Sequence, residues 1–327
     1  MDFNELLDPF ERLLADIASS EHIRQIEATG MLGNLWPALE ESGFLDALVS
    51  EEAGGAGLTL SDAGPLFLAL GRHGFPAPAA ETMLARQLLA DAGIEYPKGP
   101  IVLAVANRDA TPPIPCGRAA EHVLIETSEG LVLAAADSLA RSGTGADRGL
   151  AESFAWQRRP AGPGCASPAG GLRTLGALVR ACLIAGAAGR VHDMTVAYAN
   201  ERVQFGRRIG QQQAVQQQLA VMAEQVIAAR LASETACAAG LPANMLIVAS
   251  AKQVCGAAAV EVARIAHAVH GAIGISEEYD LQLFTRRLHE WRLADGSSHW
   301  WALRLGEARL AANQSTVDFV RTQLVPA

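Results

Sequence analysis

Three short segments in the C-terminal half of the chain combine residue types that could do chemistry. The first segment, residues 201–213, places Arg202, Arg207 and Arg208 within seven positions. Guanidinium groups bind phosphate oxygens in pairs, so this cluster is a candidate pyrophosphate site on a chain that is acidic overall. The alternative is a helix end, where Gly206 follows the last turn and the arginines complement the helix dipole.

The other two segments are glycine turns beside a polar side chain. Residues 270–274 close an apolar stretch, and their glycines either end a helix or let the backbone approach a flat or phosphorylated cofactor. Asp295, Gly296 and Ser297 precede a further helical segment. Aspartate and serine are preferred helix N-caps, whereas a carboxylate beside a glycine turn could also act as a base. The spacing alone leaves both interpretations open for each turn.

The composition limits the kinds of protein that this chain can be. Half of its 327 residues are apolar, but only 5% are aromatic and 19% are charged, so alanine and glycine supply much of the apolar fraction. Such a composition favours closely packed helices and excludes a disordered chain. The net charge of −9, from 35 acidic and 26 basic residues, argues against an extended surface for nucleic acid.

Neither a membrane span nor a metal site is expected. Arg180, Arg190 and Lys252 interrupt the most apolar stretches before they reach the ~20 residues that a span needs. The five cysteines are scattered without a CxxC pair, and no His/Cys cluster has the spacing of metal ligands. The N-terminus is acidic where a leader would be basic, so we expect reduced thiols in the cytoplasm.

Hydrophobic spacing predicts helical domains at both ends of the chain. In residues 1–97, apolar side chains recur every three or four positions, and the glycine-rich segment 51–57 forms a loop between helices. Residues 171–327 predict a four-helix bundle, whose segment 243–269 is apolar on nearly every face and should occupy the centre. The expected helices span residues 36–48, 61–73, 78–91, 172–203, 214–239 and 243–269, with one more after Ser298.

Between the helical ends, residues 98–170 predict a small β domain. Residues 101–105 are apolar throughout, which indicates a buried strand, and 122–127 and 131–134 flank a short polar turn as a hairpin. The expected fold class is therefore mainly α with a small, β-barrel-like middle domain between an N-terminal helical domain and a C-terminal four-helix bundle.

The order and spacing of the three segments resemble the C-terminal domain of the acyl-CoA dehydrogenase family. That family carries an R-x-x-F-G…Q-A segment, a Q-x-x-G-G-x-G segment and a final E-G-T/S, which correspond here to residues 202–214, 268–274 and 295–297. The loop at 51–57 resembles the family's E-E-x-G-G-x-G motif. The likeness covers nearly the whole chain and is weakest over the middle domain, which is shorter than in typical members.

The resemblance implies an enzyme that uses FAD to oxidise an acyl-CoA substrate to its 2,3-enoyl-CoA. In that family a carboxylate removes the α-proton, the β-hydride passes to FAD, and an electron-transfer flavoprotein collects the electrons. Asp295 stands at the position of the catalytic glutamate. Part of the family's FAD site comes from a neighbouring subunit, which implies a homodimer or a tetramer. The positions that match FAD contacts are Arg202, Gln204, Phe205, Gln213, Gly271, Gly274, Gly296 and Ser297.

Three departures from the family pattern bear on this expectation. Asp295 is one methylene shorter than glutamate, ~1.5 Å of reach, and a misplacement of about 1 Å can cost on the order of a hundredfold in rate. The family's alternative base position falls near Gly176, which cannot replace it. Ala268 and Ala272 stand where the FAD loop has glutamine and glycine. The shortened middle domain lacks an M-T-E-P-like segment to hold the isoalloxazine ring.

These departures resemble a subset of the family in which a short subunit pairs with a longer one, as in heteromeric dehydrogenases of steroid side-chain degradation. The leading hypothesis is an FAD-dependent acyl-CoA dehydrogenase, as a homo-oligomer or as the short subunit of a hetero-oligomer. The alternative is a non-catalytic partner that lends Arg202 and Phe205 to a neighbour's FAD while Asp295 caps its helix. A helical scaffold without cofactor, the third possibility, predicts a colourless protein.

Overall fold

The computed structural model of the chain describes residues 3–146, 148–158 and 160–326. Helices occupy both ends and strands the middle, which confirms the predicted fold class. The helices are α1 (Phe3–Ile17), α2 (Ser20–Thr29), α3 (Leu35–Glu41), α4 (Leu60–Arg72), α5 (Ala79–Asp91), α6 (Gly171–Glu201), α7 (Gln213–Ala238), α8 (Met245–His270), α9 (Leu281–Trp291), α10 (Ser298–Ala311) and α11 (Thr316–Gln323). The strands are β1 (Ile101–Val105), β2 (His122–Thr127), β3 (Gly130–Ala135), β4 (Ala140–Gly143), β5 (Glu152–Ala155), β6 (Gly164–Cys165), β7 (Val203–Gln204) and β8 (Arg207–Arg208).

The middle segment contains two small sheets. Strands β1, β2, β3 and β6 form a sheet in that order, with β1 and β2 parallel and the other neighbours antiparallel. Strands β4 and β5 form a separate antiparallel pair. Phe154 of β5 shares a small apolar core with Val123 and Ile125 of β2, so the two sheets pack together. The buried strand and the hairpin predicted in this segment are both present.

Helix α6 has more buried residues than any other helix of the bundle. It packs against α7, α8 and α9 and also against α4 of the N-terminal region. Helix α8 contacts α6, α7, α9 and α10 but leaves Ala257, Val260 and Arg264 exposed on its outer face. The prediction that segment 243–269 occupies the centre is therefore confirmed only in part. Helix α8 contacts four other helices but has one exposed face, whereas α6 is also covered by α4 of the N-terminal region.

Two helical segments are long and apolar enough to span a membrane, although the sequence analysis expected none. By length and composition alone, α6 and the segment Met245–Ile275 could each cross a membrane. In α6, however, 89% of the apolar window is buried inside the protein, so its apolar character is that of a core helix. Arg180 and Lys252, which were expected to interrupt these stretches, are themselves buried.

The N-terminal helices and the bundle share one hydrophobic core. Phe67 and Leu70 of α4 belong to the same cluster of buried side chains as Leu178 and Val179 of α6 and Val248 of α8. Continuous burial of this kind fixes the N-terminal helices on the bundle. The division of the chain after residues 97 and 170 stays a prediction.

Candidate functional site

The arginine-rich segment forms an exposed β-hairpin. Helix α6 ends at Glu201, and the backbone N–H of Ile209 donates to the carbonyl of Arg202 (2.9 Å) at the base of the hairpin. Phe205 and Gly206 make the tight turn, with φ of 54° and 75°, as a two-residue hairpin turn requires. The interpretation of Gly206 as a helix end is therefore wrong, since the chain has already left the helix.

The side chains of this hairpin project away from the protein. Phe205 is 92% exposed, although a phenylalanine ring is normally buried. Arg202 and Gln204 are also exposed, as is Gln213, which begins α7. A guanidinium, two amides and an aromatic ring on the surface form a donor set that fits the diphosphate and flat rings of a dinucleotide.

The glycine turn after α8 has one open and one packed glycine. Gly271 caps the helix with φ of 62°, and its N–H donates to the carbonyl of His267. Among the described residues, no heavy atom would lie within 4 Å of a Cβ on Gly271, so a ligand could approach its backbone. Gly274 is buried, and a Cβ there would lie 3.1 Å from Leu281. Gly271 therefore fits a cofactor contact, and Gly274 has a packing role.

The third segment is a strained turn between α9 and α10. Asp295 has φ of 56° and Gly296 has φ of 99°, a combination that brings the chain round within six residues. The N-cap of α10 is Ser297, whose side chain accepts from the N–H of Trp300 (3.2 Å). The idea that Asp295 caps the helix is therefore wrong, and its carboxylate has a different partner.

A buried arginine holds the Asp295 carboxylate. Arg180 Nε donates to Asp295 Oδ2 (3.1 Å), and Arg180 Nη2 lies 2.6 Å from Glu81 Oε1, an ion-pair contact whose angle falls outside hydrogen-bond geometry. Arg180 and Glu81 are each 2% exposed and Asp295 is 20% exposed. Burial opposes the charge of Arg180, but Glu81 and Asp295 outweigh it and raise the pKa of the guanidinium above its ordinary value.

Sequence reasoning missed Arg180, the partner of Asp295, and Glu81, the second carboxylate that Arg180 contacts. Arg180 was considered only as an interruption of an apolar stretch, and Glu81 was not considered at all. A charged residue in the middle of a buried helix must be paired, which was the available indication for Arg180. The identity of the partner could not be read from the sequence, because Arg180 and Asp295 are 115 positions apart.

Asp295 packs against α6 at a glycine, Gly176. A Cβ added to Gly176 of α6 would lie 2.5 Å from Asp295 Cγ, closer than non-bonded carbons approach. In the structure the Asp295 side chain itself occupies the space beside Gly176.

Two further buried groups hold the same turn. Trp301 Nε1 donates to the backbone carbonyl of Asp295 (3.0 Å). Lys252, fully buried in α8, donates to the carbonyl of Trp291 at the end of α9 (2.7 Å). Burial lowers the pKa of Lys252 to about 7, although Asp295 acts in the opposite direction. Side chains from α6, α8 and α10 therefore fix the position of Asp295.

The chain is similar to known proteins in sequence. Residues 173–309 match the family model of the acyl-CoA dehydrogenase C-terminal domain. The chain is 33% identical over 266 residues to the acyl-CoA dehydrogenase IpdE2 of Mycobacterium tuberculosis, an alignment that covers 78% of this chain and 80% of that protein. It is 30% identical over 264 residues to IpdE2 of Mycolicibacterium smegmatis, covering 78% and 81%.

Solved structures share the fold over almost the full length. The ChsE4-ChsE5 complex from Mycobacterium tuberculosis contains a chain that matches with a TM-score of 0.80, covering 96% of this chain and 100% of that one at 23% identity. A chain of a Tcur3481-Tcur3483 steroid ACAD variant matches with a TM-score of 0.81, covering 94% and 98% at 24% identity.

Proposed function

Because this chain belongs to the acyl-CoA dehydrogenase family, we propose that it is the short subunit of a heteromeric, FAD-dependent acyl-CoA dehydrogenase. In this proposal it lends flavin contacts to a longer partner chain, and the partner carries the catalytic base. The complex would oxidise an acyl-CoA to its 2,3-enoyl-CoA and pass electrons to an electron-transfer flavoprotein. A family enzyme of this kind would work in the cytoplasm.

The ion pair between Asp295 and Arg180 is the observation that carries this proposal. A base that removes an α-proton must direct a carboxylate oxygen at the substrate carbon. Here Oδ2 faces Arg180, and Glu81 holds Arg180 from the other side. Asp295 is thus one of two carboxylates that neutralise a buried guanidinium, a structural task that competes with proton abstraction.

The exposed hairpin supports the flavin-contact part of the proposal. Arg202 and Gln204 can donate to a diphosphate, and Phe205 presents an aromatic face, but all three point away from the chain that carries them. Gly271 adds an open backbone segment. These residues would hold an FAD seated mainly on a neighbouring subunit. When bound, FAD supplies the acceptor for the substrate hydride.

A second candidate is a complete enzyme in which Asp295 is the base. The observation that favours it is the position of Asp295 against Gly176 with a side chain that remains 20% exposed. Since Arg180 binds Oδ2, the oxygen that meets the substrate in this candidate would be Oδ1. The two candidates differ in what removal of the Asp295 charge does.

Two substitutions in the purified complex test the proposal. Asp295→Asn keeps an oxygen that can accept from Arg180, so we expect turnover within about twofold of the parent. Phe205→Ala should lower flavin retention and leave folding unchanged, because the ring makes almost no contact within its own chain. Leu310→Ala is the matched control, since Leu310 is 87% exposed on α10.

The opposite outcomes favour the second candidate. Loss of turnover in Asp295→Asn with full flavin content would show that Asp295 acts as the base. Equal flavin content in Phe205→Ala and Leu310→Ala would show that the hairpin does not contribute to flavin binding.

A further inference from the structure

A cationic cluster beside the Asp295 turn has no part in the proposed function. The guanidinium carbons of Arg173 and Arg304 lie 5.0 and 4.5 Å from the ring centroid of Trp300. Arg173 is in the first turn of α6, and Trp300 and Arg304 are one turn apart on α10. We propose that Arg173, Trp300 and Arg304 form a subsite for an oxyanion carried by a CoA thioester.

The charges of this cluster are incompletely compensated. The two guanidinium carbons can be no more than 9.5 Å apart, because both lie over one ring. Arg304 pairs with Glu307 at 3.2 Å, but the side chains are 39% and 67% exposed, so water partly screens the pair. Within the described part of the chain, no carboxylate lies at ion-pair distance from Arg173. Like charges brought together in this way favour a bound anion.

The position of Arg173 relates the cluster to the Asp295 turn. Arg173, Gly176 and Arg180 are spaced three and four residues apart, so they share one face of α6. Gly176 lies under Asp295, Arg180 binds its carboxylate, and Arg173 contacts Trp300 of the adjoining helix. The turn and the first turn of α10 therefore face this side of α6, and Arg173 marks its N-terminal end.

The chemistry of the three side chains selects the ligand class. A planar guanidinium binds a carboxylate or a phosphate through two parallel hydrogen bonds, and a half-buried indole holds the two planes in place. A CoA thioester has phosphates at its nucleotide end, and a dicarboxylic acyl group adds a carboxylate at the other. Both sources present the same oxyanion chemistry, which the probes below separate.

The choice of a CoA thioester as the ligand rests on the proposed function, whereas binding at the subsite does not depend on which chain carries the base or the flavin. Calorimetric titration of the purified protein, with its partner chain where the two copurify, tests it directly. The probes are CoA, dephospho-CoA, butyryl-CoA and glutaryl-CoA. A preference for CoA over dephospho-CoA would identify the 3′-phosphate as the bound group. A preference for glutaryl-CoA over butyryl-CoA would identify the acyl carboxylate.

Substitutions then locate the binding. Arg173→Gln should weaken the binding of the preferred probe about tenfold or more, because it removes a charge-assisted contact. Arg173→Lys should weaken it less, since it retains the charge but loses the planar fork. Arg309→Gln is the control, because Arg309 also lies over an aromatic ring, that of Phe319, at 5.9 Å and on the same helix as Arg304.

Two results would overturn the subsite. One is wild-type protein that binds none of the four probes. The other is binding that Arg173→Gln and Arg309→Gln leave equally intact. Circular dichroism of each variant confirms that it is folded. The flavin content, read from absorbance, reports on the proposed function separately, so failure of one proposal is distinguishable from failure of the other.

Discussion

Replacement of Arg180 by methionine should destabilise the protein more than any surface change. The substitution keeps a flexible side chain about as long as the aliphatic part of arginine and removes the guanidinium head. It leaves Glu81 and Asp295 without the guanidinium that lies 2.6 and 3.1 Å from them. Because Glu81 is 2% exposed, water cannot solvate it in place of Arg180.

The expected loss follows from the burial of this pair. Removing one partner of a buried ion pair costs about 3–5 kcal/mol of unfolding free energy, since the remaining charge is uncompensated. Arg230→Met provides the matched control, because Arg230 pairs with Glu234 on the surface of α7 at 2.7 Å. An exposed pair of that kind contributes roughly 0–1 kcal/mol. The two substitutions are chemically identical and differ only in environment.

A second variant distinguishes lost charge compensation from lost packing. Arg180→Met combined with Glu81→Gln removes the stranded charge as well, so much of the stability should return.

Urea unfolding followed by tryptophan fluorescence measures these differences. Equal losses in Arg180→Met and Arg230→Met would refute the role given to the buried pair. An Arg180→Met loss that Glu81→Gln does not reduce would instead indicate a packing defect.

Further predictions concern the other groups that hold the turn. Burial lowers the pKa of Lys252 to about 7 from 10.5. This side chain therefore binds fewer protons in the folded chain between these pH values, and its own contribution to stability should rise with pH across that window. Lys252→Met should abolish this rise, and an unchanged pH profile by urea unfolding would contradict it. Trp301→Phe loses the bond to the Asp295 carbonyl and should cost about 1–3 kcal/mol in the same assay. Gly176→Ala should cost about 1–3 kcal/mol through the clash with Asp295, and wild-type stability would contradict that contact.

Much of the architecture could be predicted from local sequence patterns. Apolar spacing located the long helices, and β-branched runs located β1 and β2, because both signals act within one element. Gly206 shows the limit of such signals, since the same residue suits a helix end and a hairpin turn. Only the structure shows that α6 stops at Glu201 and that the hairpin follows.

The setting of Asp295 shows a different limit. Its position in a glycine turn could be predicted, but its ion pair joins Arg180 of α6 with Glu81 of α5, and these contacts depend on how distant helices pack. The burial of α6 could not be predicted for the same reason, because it depends on contacts with α4. Charge pairing and burial across elements are properties of the tertiary fold, and a pattern within one segment does not carry them.

The flavin content and turnover of this chain, purified alone and after coexpression with a longer acyl-CoA dehydrogenase subunit encoded beside it, test the central claim most directly. We predict a colourless, inactive protein when the chain is alone and a yellow, active complex with the partner. A homo-oligomer of this chain that is loaded with FAD and oxidises acyl-CoA without a partner would contradict the claim.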